Sequence, residues 1–406
     1  MIYDVEKVRN DFPILSREVY GKPLVYLDSA ASAQKPKKVI EQIKEFQETD
    51  YANVHRGIHF LSNASTDAFE SARKKVQKFL NADKQEEIIF TLGATDSINL
   101  VANCLGENFF KKDDEIILTV MEHHSNIVPW HFLREKVGVK IKWVDCDNQG
   151  NISLDDIKKI VTDKTKFISI TQMSNVLGSD LPLKEIIKFS HEKNILVLID
   201  GCQGIAHMQT DVKDLDCDFY VFSGHKLYGP TGVGVLYGKH DILNNLPPWR
   251  GGGEMIREVK KESVTFADSP SRFEAGTPNI IQAVGLGAAI DYFHSKVKSG
   301  LFDYEKKIAQ YFHNEIQAVN KVKVYGKENL SSPMISFTVD GAHPHDIAAI
   351  IDREGVAIRA GHHCTQPLMS FFNLNSTARA SIGMYTDKND INLFIKALDK
   401  AITFFD

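Results

Sequence analysis

The stretch Asp218-Phe219-Tyr220-Val221-Phe222-Ser223-Gly224-His225-Lys226 decides the fold. Its apolar run shows no polar alternation, as expected of a strand buried on both faces, and such strands belong to parallel sheets covered by helices. Working outward, comparable runs of five or six residues occur at 87–91, 115–120, 139–144, 166–171, 195–199 and 233–237, which with 217–222 makes seven candidate strands. Amphipathic stretches lie between them. One begins near Pro182 and sets Leu183, Ile186, Ile187 and Ser190 against Lys184, Lys188 and Glu192. Another follows Pro36, with Val39, Ile40, Ile43 and Phe46 as one apolar face expected to pack on the sheet. Strands alternating with helices predict an α/β fold on a seven-stranded, mainly parallel sheet.

With 406 residues the chain is long enough for two domains at about 150 residues each. Past residue 290 the pattern changes to longer charged helices, then to Met334-Ile335-Ser336-Phe337-Thr338-Val339 and a final helix ending at Phe404-Phe405. The expected division is a large domain over 22–290 and a smaller α+β domain from 1–21 and 291–406. No Pro/Gly/Ser-rich linker or internal repeat separates them, which predicts close packing. An apolar content of 43% and a charged content of 25% are those of a globular chain. A net charge of −5 offers no broad basic surface, so no nucleic-acid partner is expected. Neither a signal peptide nor an apolar run of about 18 residues is present, so no membrane association and a cytoplasmic location are expected. The five cysteines are odd in number and lack regular spacing, so neither a disulfide framework nor a CxxC knuckle is indicated.

The chemistry is carried by Lys226 and Asp200, each at the end of an apolar run. An amine that holds an aldehyde and an acid that keeps a pyridine nitrogen protonated are what pyridoxal phosphate requires. A solvated turn lysine and a helix-capping aspartate are the ordinary alternatives. Gln203, three residues on, is positioned to reach the cofactor's phenolic oxygen. Ser223 and His225 flank a glycine, and Gly93-Ala94-Thr95 opens a helical stretch, so these loops offer hydroxyl, imidazole and backbone donors to a phosphate. Thr95 reads equally as an N-cap. His123 and His124 follow a strand, where one imidazole can stack on a flat ring, and two ordinary loop histidines or a metal pair are the competing readings. In Arg359-Ala360-Gly361-His362-His363-Cys364 a loop thiol stands among cationic groups, the setting of a reactive thiolate. A chance loop cysteine and a zinc site from His362, His363 and Cys364 remain alternatives. The other four cysteines, in or beside apolar runs, read as packing.

Together with Tyr26-Leu27-Asp28-Ser29-Ala30-Ala31, His55-Arg56-Gly57-Ile58-His59, Met121-Glu122-His123-His124, Ser174-Asn175-Val176-Leu177-Gly178, Ser223 to Pro230, Gly251-Gly252-Gly253, Arg272-Phe273-Glu274-Ala275-Gly276-Thr277-Pro278 and Gly361-His362-His363-Cys364, the sequence resembles a known family. It is similar over nearly its whole length to the SufS-type, or group II, cysteine desulfurases and selenocysteine lyases of the class V aminotransferase superfamily. The resemblance implies a fold-type I pyridoxal phosphate enzyme that converts L-cysteine, or selenocysteine, to L-alanine. The sulfur would stay on Cys364 as a persulfide for a SufE- or SufU-type acceptor in iron-sulfur cluster assembly. It implies that Lys226 holds the aldehyde and acts as base, Asp200 meets the ring nitrogen, Gln203 the phenolic oxygen, and His123 the ring face. Thr95, Ser223 and His225 would bind the phosphate, with Thr277 arriving from the other subunit of a homodimer. Arg379 would clamp the substrate carboxylate with Asn175 assisting, and Arg359 and Arg56 would line the substrate and dimer-interface side. Thr365 and Ala94 depart from the family's common small apolar and hydroxyl residues, which bears on loop dynamics and on the phosphate site.

Overall fold

Each of the seven apolar runs forms a strand, with ends displaced by at most two residues from the sequence reading. The computed structural model describes residues 3–326 and 332–405. The strands are β1 (Ile88–Thr91), β2 (Glu115–Thr119), β3 (Lys140–Val144), β4 (Thr165–Thr171), β5 (Leu196–Asp200), β6 (Phe219–Ser223) and β7 (Gly234–Gly238). They form one sheet in the order β1-β7-β6-β5-β4-β2-β3. Only β7 runs against its neighbours, β1 and β6. All other pairs are parallel, so the carboxyl ends of six strands share one edge. The chain is therefore α/β with a mainly parallel seven-stranded sheet.

The lack of alternation in the strands has a direct packing consequence. Ile88, Ile117, Ile168, Ile199, Tyr220 and Phe222 enter a core on one face, while Ile89, Ile116, Leu118, Phe167, Leu198, Phe219 and Val221 enter a second on the other. Each large apolar side chain so buried contributes about 1.5–3 kcal/mol. Helices α1 (Lys37–Thr49), α2 (Phe60–Leu80), α3 (Ala94–Asn108), α4 (Leu183–Glu192) and α5 (Ile280–Lys298) surround the sheet region. As expected, α4 buries Leu183, Ile186, Ile187 and Ser190.

The first helix differs from the sequence reading. Its apolar face packs on α5 rather than on the sheet, with Val39 and Ile43 against Ala288 and Ala289, while Ile40 stays 49% exposed. The cause is the small-residue content of α5, which lets the two helices approach. At Gly285 an added Cβ would stand 2.7 Å from Ile43 Cδ1.

A second sheet contains β8 (Val322–Tyr325), β9 (Met334–Val339), β10 (Arg359–Gly361) and β11 (Thr377–Ser381), antiparallel in the order β8-β9-β11-β10. With the last helix, α6 (Lys388–Thr403), it encloses a separate core that includes Phe337, Ile347, Ile391 and Phe394. Val25 and Leu27 also belong to that core, because Val25–Tyr26 pairs in parallel with Val356–Ala357 and Asp28 bridges to Ser381. The segment 25–28 thus ties the second sheet to the loop that leads back to the first. No helix among the described residues is long and apolar enough to cross a membrane.

Candidate active site

A cavity of about 170 Å³ opens where the shared carboxyl edge of the large sheet faces β10 and β11. Ligands in open α/β sheets collect at this edge, because the loops that follow each strand converge there. The loop after β1 supplies Ala94 and Thr95, that after β2 His123 and Ser125, and that after β4 Asn175. Asp200 closes β5 and is followed by Gln203, and Ser223 closes β6 and is followed by His225 and Lys226. From the second sheet come Arg359, Cys364 and Arg379. Of the side chains expected at the site, only Thr277 and Arg56 lie outside this cavity. Thr277 lines a separate depression with Trp249 and Arg250, and Arg56 pairs with Glu254 at 2.8 Å.

At one end, helix α3 begins at Ala94, whose backbone N–H donates to Ser223 Oγ at 2.9 Å. Thr95 Oγ1 shares a 2.7 Å hydrogen bond with Ser125 Oγ. Ser125 was not singled out by the sequence, although it stands in the same His-His-Ser-Asn run as His123. Gly234 allows β7 to pass under this turn, since a Cβ there would meet the backbone of Gly93 at 2.4 Å. Hydroxyls and a helix N-terminus so arranged fit a phosphate. Asp200 is buried and accepts from the Cys202 N–H at 3.0 Å. Gln203 Nε2 donates to the Ala30 carbonyl at 2.9 Å, which fixes the side chain's direction. No hydrogen bond or ion pair engages the Lys226 amine among the described residues.

Burial controls the histidines. It pushes His123 down to about 3, with Lys226 adding to the effect, and His225 down to about 4 by the same two causes. Both are neutral rings at physiological pH. Under the His123 turn lies Glu122, fully buried and raised by that burial to about 8. Its carboxyl receives Thr119 Oγ1 at 2.6 Å, Asn126 Nδ2 at 2.8 Å and the Thr171 N–H at 3.1 Å. Asn126 in turn accepts from Ser169 and Trp130. Sequence reasoning missed this network, because a carboxylate beside two histidines gave no sign of its burial.

At the other end, Arg359 and Arg379 stand directly opposite each other on β10 and β11. Like charges in that position are destabilising unless an anion separates them. Burial lowers Arg379 to about 10, offset in part by Asp28 and reinforced by Arg359. Its guanidinium donates to the Asn175 carbonyl at 2.7 Å and lies 3.4 Å from Asp28, but its buried Nε–H has no partner. With Lys226, the lining carries three strongly basic side chains against one carboxylate, Asp200. The donor set thus fits pyridoxal phosphate together with a substrate carboxylate.

Cys364 is the only partly exposed cysteine; burial raises the other four, with Cys104, Cys146 and Cys202 at about 12. The loop that presents it is conformationally costly, since His363 and Cys364 both have left-handed backbones, with φ of 50° and 58°. Such residues cost on the order of 1–3 kcal/mol each. The offset comes from a set of fastenings. His124 N–H donates to the Cys364 carbonyl at 2.7 Å, Asn175 Nδ2 to the His363 carbonyl at 2.8 Å, and Thr365 Oγ1 to the His362 carbonyl at 2.9 Å. Thr365 is fully buried. The amide of Asn175 therefore holds the loop rather than pointing freely into the cavity.

The structure corrects the cationic surroundings expected of this thiol. His363 turns into the second sheet, where Nε2 lies 2.9 Å from Thr377 Oγ1, and burial followed by Arg379 pushes it down to about 3. The strongly basic groups that line the cavity with Cys364 are Lys226, Arg359 and Arg379. The suggested zinc trio is also rearranged. His363 leaves it, and one ring nitrogen each of His124 and His362 lies within 4.8 Å of the other and of Cys364 Sγ.

Residues 25–394 match the aminotransferase class-V family. A cysteine desulfurase of Pectobacterium atrosepticum is 46% identical over 401 residues, covering 98% of both chains, and a probable cysteine desulfurase of Synechocystis is 46% identical over 98% of this chain and 96% of its own. Among solved structures, the cysteine desulfurase CsdA of Escherichia coli superposes over the full length of both chains with a TM-score of 0.93 at 35% identity. Full-length agreement in both sequence and fold, around a cavity fitted to the cofactor, places the chain in the aminotransferase class-V family of pyridoxal phosphate enzymes, among its cysteine desulfurases.

Proposed function

We propose that the protein removes sulfur from L-cysteine, releases L-alanine and keeps the sulfur on Cys364 as a persulfide. The observation that carries this reading is that Lys226 and Cys364, from different sheets, line one small cavity. Bound there, pyridoxal phosphate supplies an electron sink that lets the substrate's Cα proton leave and its carbon–sulfur bond break. Asp200 is the acid partner at the ring-nitrogen end, and Ser223, Thr95 and His225 receive the phosphate. His123, neutral through burial, covers the ring face without adding a charge. Gln203 stands at the phenolic oxygen.

The substrate's carboxylate is received by Arg379, whose unpartnered Nε–H and planar fork suit it, while Arg359 faces the same anion. Lys226 first tethers the cofactor and, once freed by the substrate's amine, takes the Cα proton on Nζ. Cys364 Sγ then attacks the substrate's sulfur, forming the S–S bond as the sulfur–carbon bond breaks with its electron pair passing to the carbon fragment, which takes up protons and leaves as L-alanine.

The short, fastened loop supports the group II, SufS-type reading, in which sulfur passes to a SufE- or SufU-type acceptor for iron-sulfur cluster assembly. Selenocysteine is an alternative substrate of the same pocket. The position of Thr277 outside the cavity supports a homodimer in which it reaches the partner's phosphate site, with Arg56 on the dimer-interface side; the location we propose is the cytoplasm. We take 22–290 as the cofactor domain and 1–21 with 291–406 as the smaller one. The test is the visible spectrum of the purified protein before and after L-cysteine, with alanine measured in the same sample. A cofactor band that changes on mixing, with alanine formed, is expected. A Cys364→Ser variant should keep the band and its change yet make no alanine catalytically, and wild-type turnover by that variant would refute the assignment.

A further inference from the structure

Lys35 does not line the cavity, yet its side chain reaches the turn that carries Lys226. It ends the segment Asp28-Ser29-Ala30-Ala31-Ser32-Ala33-Gln34-Lys35, which brings Ala30 and Ala31 into the cavity wall. A lysine just before an exposed helix start ordinarily keeps its ammonium in water. Lys35, two residues ahead of α1, is instead half-buried, and its Nζ donates to the His225 carbonyl at 3.1 Å and to the Ala33 carbonyl. Among the described residues no carboxylate pairs with it, and burial alone pushes it down to about 8. A cation withdrawn from water without a counter-ion is costly, so the two carbonyls it holds are where its use must be sought.

The His225 carbonyl belongs to the peptide unit that leads into Lys226. It accepts from Lys35 Nζ and from the Ala33 N–H, both at 3.1 Å. Because the peptide is planar, holding that carbonyl also fixes the Lys226 nitrogen and the direction of its Cα. The turn gives little support of its own. Residues 224–226 form a single turn closed by the Leu227 N–H on the Gly224 carbonyl at 3.0 Å, and Tyr228 just beyond has a left-handed backbone with φ of 60°. The segment that holds it is itself anchored. Ala30 N–H donates to Ser381 Oγ of β11 at 2.9 Å, Gln203 Nε2 to the Ala30 carbonyl at 2.9 Å, and Tyr26 OH to the Ser32 carbonyl at 2.7 Å. Ser32 Oγ in turn lies 3.2 Å from His225 Nδ1.

We propose that Lys35 is a positioning residue for Lys226, clamping the His225–Lys226 peptide to the anchored segment 28–35 so that the catalytic amine moves from a fixed backbone. This deepens the function above and rests on Lys226 being both tether and base. Those two tasks place Nζ at different atoms in turn, so the side chain has to swing while its Cα stays where the substrate's Cα proton can be met. Near-attack geometry of that kind is lost with displacements of about 1 Å. Lys35 acts through the peptide alone, since it does not reach the cavity. Its charge has a second effect at the same turn, adding to burial and Lys226 in keeping the His225 ring neutral.

The test reads backbone and turnover separately in the holoenzyme. In K35M, amide exchange at Ala33 and over 224–229 should quicken on the order of tenfold, the worth of one hydrogen bond from a charged donor, with α4 unchanged. Alanine formation from L-cysteine should show kcat lower on the order of tenfold and KM within about twofold, because Arg379 and Arg359 are untouched. K35Q, polar but too short to span both carbonyls, should behave as K35M does, so the outcome does not depend on an apolar side chain being tolerated. K35R, which keeps a cationic donor, should restore most of both the protection and kcat. Unchanged exchange in K35M and K35Q would overturn the proposal, whatever happens to kcat. A raised KM at unchanged kcat would also overturn it, by placing Lys35 in substrate binding, and so would a K35R variant as impaired as K35M. If the wild type itself forms no alanine, the function assigned to Lys226 fails instead, while the exchange comparison still decides whether Lys35 holds the turn.

Discussion

The two ends of the cavity are built on opposite plans. At the cofactor end, Asp200, Ser223 and Lys226 lie on or directly after strands of a sheet buried on both faces, and their backbones need no unusual conformation. At the thiol end, Cys364 rides a loop with consecutive left-handed residues, held by contacts that reach back to His124 and Asn175 on the large sheet's loops. The first end is rigid because of what lies beneath it. The second is held only by what it touches. The contrast suggests a division of labour in which carbon chemistry needs a fixed platform and sulfur transfer needs a thiol that faces both inward and outward.

The largest break in the comparison is expected at Lys226. K226A should reduce alanine formation by about 10⁴-fold or more, because tether and base are lost together, while leaving the thiol loop's hydrogen exchange unchanged. Alanine formation at a tenth of the wild-type rate would separate the amine from the chemistry. Next comes Arg379, which belongs to the thiol side in sequence but faces the substrate. R379Q should lower kcat/KM on the order of 100-fold, mainly through KM, as steady-state kinetics over a range of L-cysteine would show. A purely kcat effect would contradict the carboxylate role.

Titration sharpens the comparison, because each end buries a group of opposite kind. Glu122 has its folded-state value raised by burial to about 8, so its contribution to stability is present below the ordinary carboxyl range and is lost as pH rises towards and through 8. His363 is depressed by burial to about 3, so its contribution is present above the ordinary imidazole value near 6.5 and is lost as pH falls from there towards 3. Denaturant midpoints measured across pH should show E122Q removing the fall in stability as pH rises from the ordinary carboxyl range to about 8, and H363N removing the fall as pH drops from about 6.5 to about 3. Any exchange of those effects would break the account.

The smallest expected effect is at Thr365. T365A removes a buried hydroxyl bond to the His362 carbonyl and should cost about 1 kcal/mol. Amide exchange should quicken around 362–366 and nowhere on the large sheet. Equal protection in both proteins would show that the hydroxyl does not hold the loop.

The same contrast explains what was legible in the sequence. The strands of the large sheet declare themselves because burial on both faces demands unbroken apolar runs, and the site residues at their ends follow from that. Thr365 stood out as a departure, yet the direction of its hydroxyl is a tertiary fact. His363 reads as a cation beside a thiol, and only the fold reveals that it turns into the second sheet. Asn175 reads as a substrate ligand but spends its amide on the loop. Ser125 and Glu122 act through neighbours that sequence proximity does not disclose. Ile40 shows the limit of helical periodicity, since the pattern marks an apolar face but not which element covers it.

The most direct measurement is peptide-resolved mass analysis of the holoenzyme after one turnover with L-cysteine in the absence of acceptor, with alanine counted in parallel. The account predicts one added sulfur atom on the peptide that carries Cys364 for each alanine released, and none on the peptides of the four buried cysteines. Alanine released without sulfur on Cys364, or sulfur retained on a different cysteine, would contradict the claim that Lys226 and Cys364 serve one reaction from the two ends of one cavity.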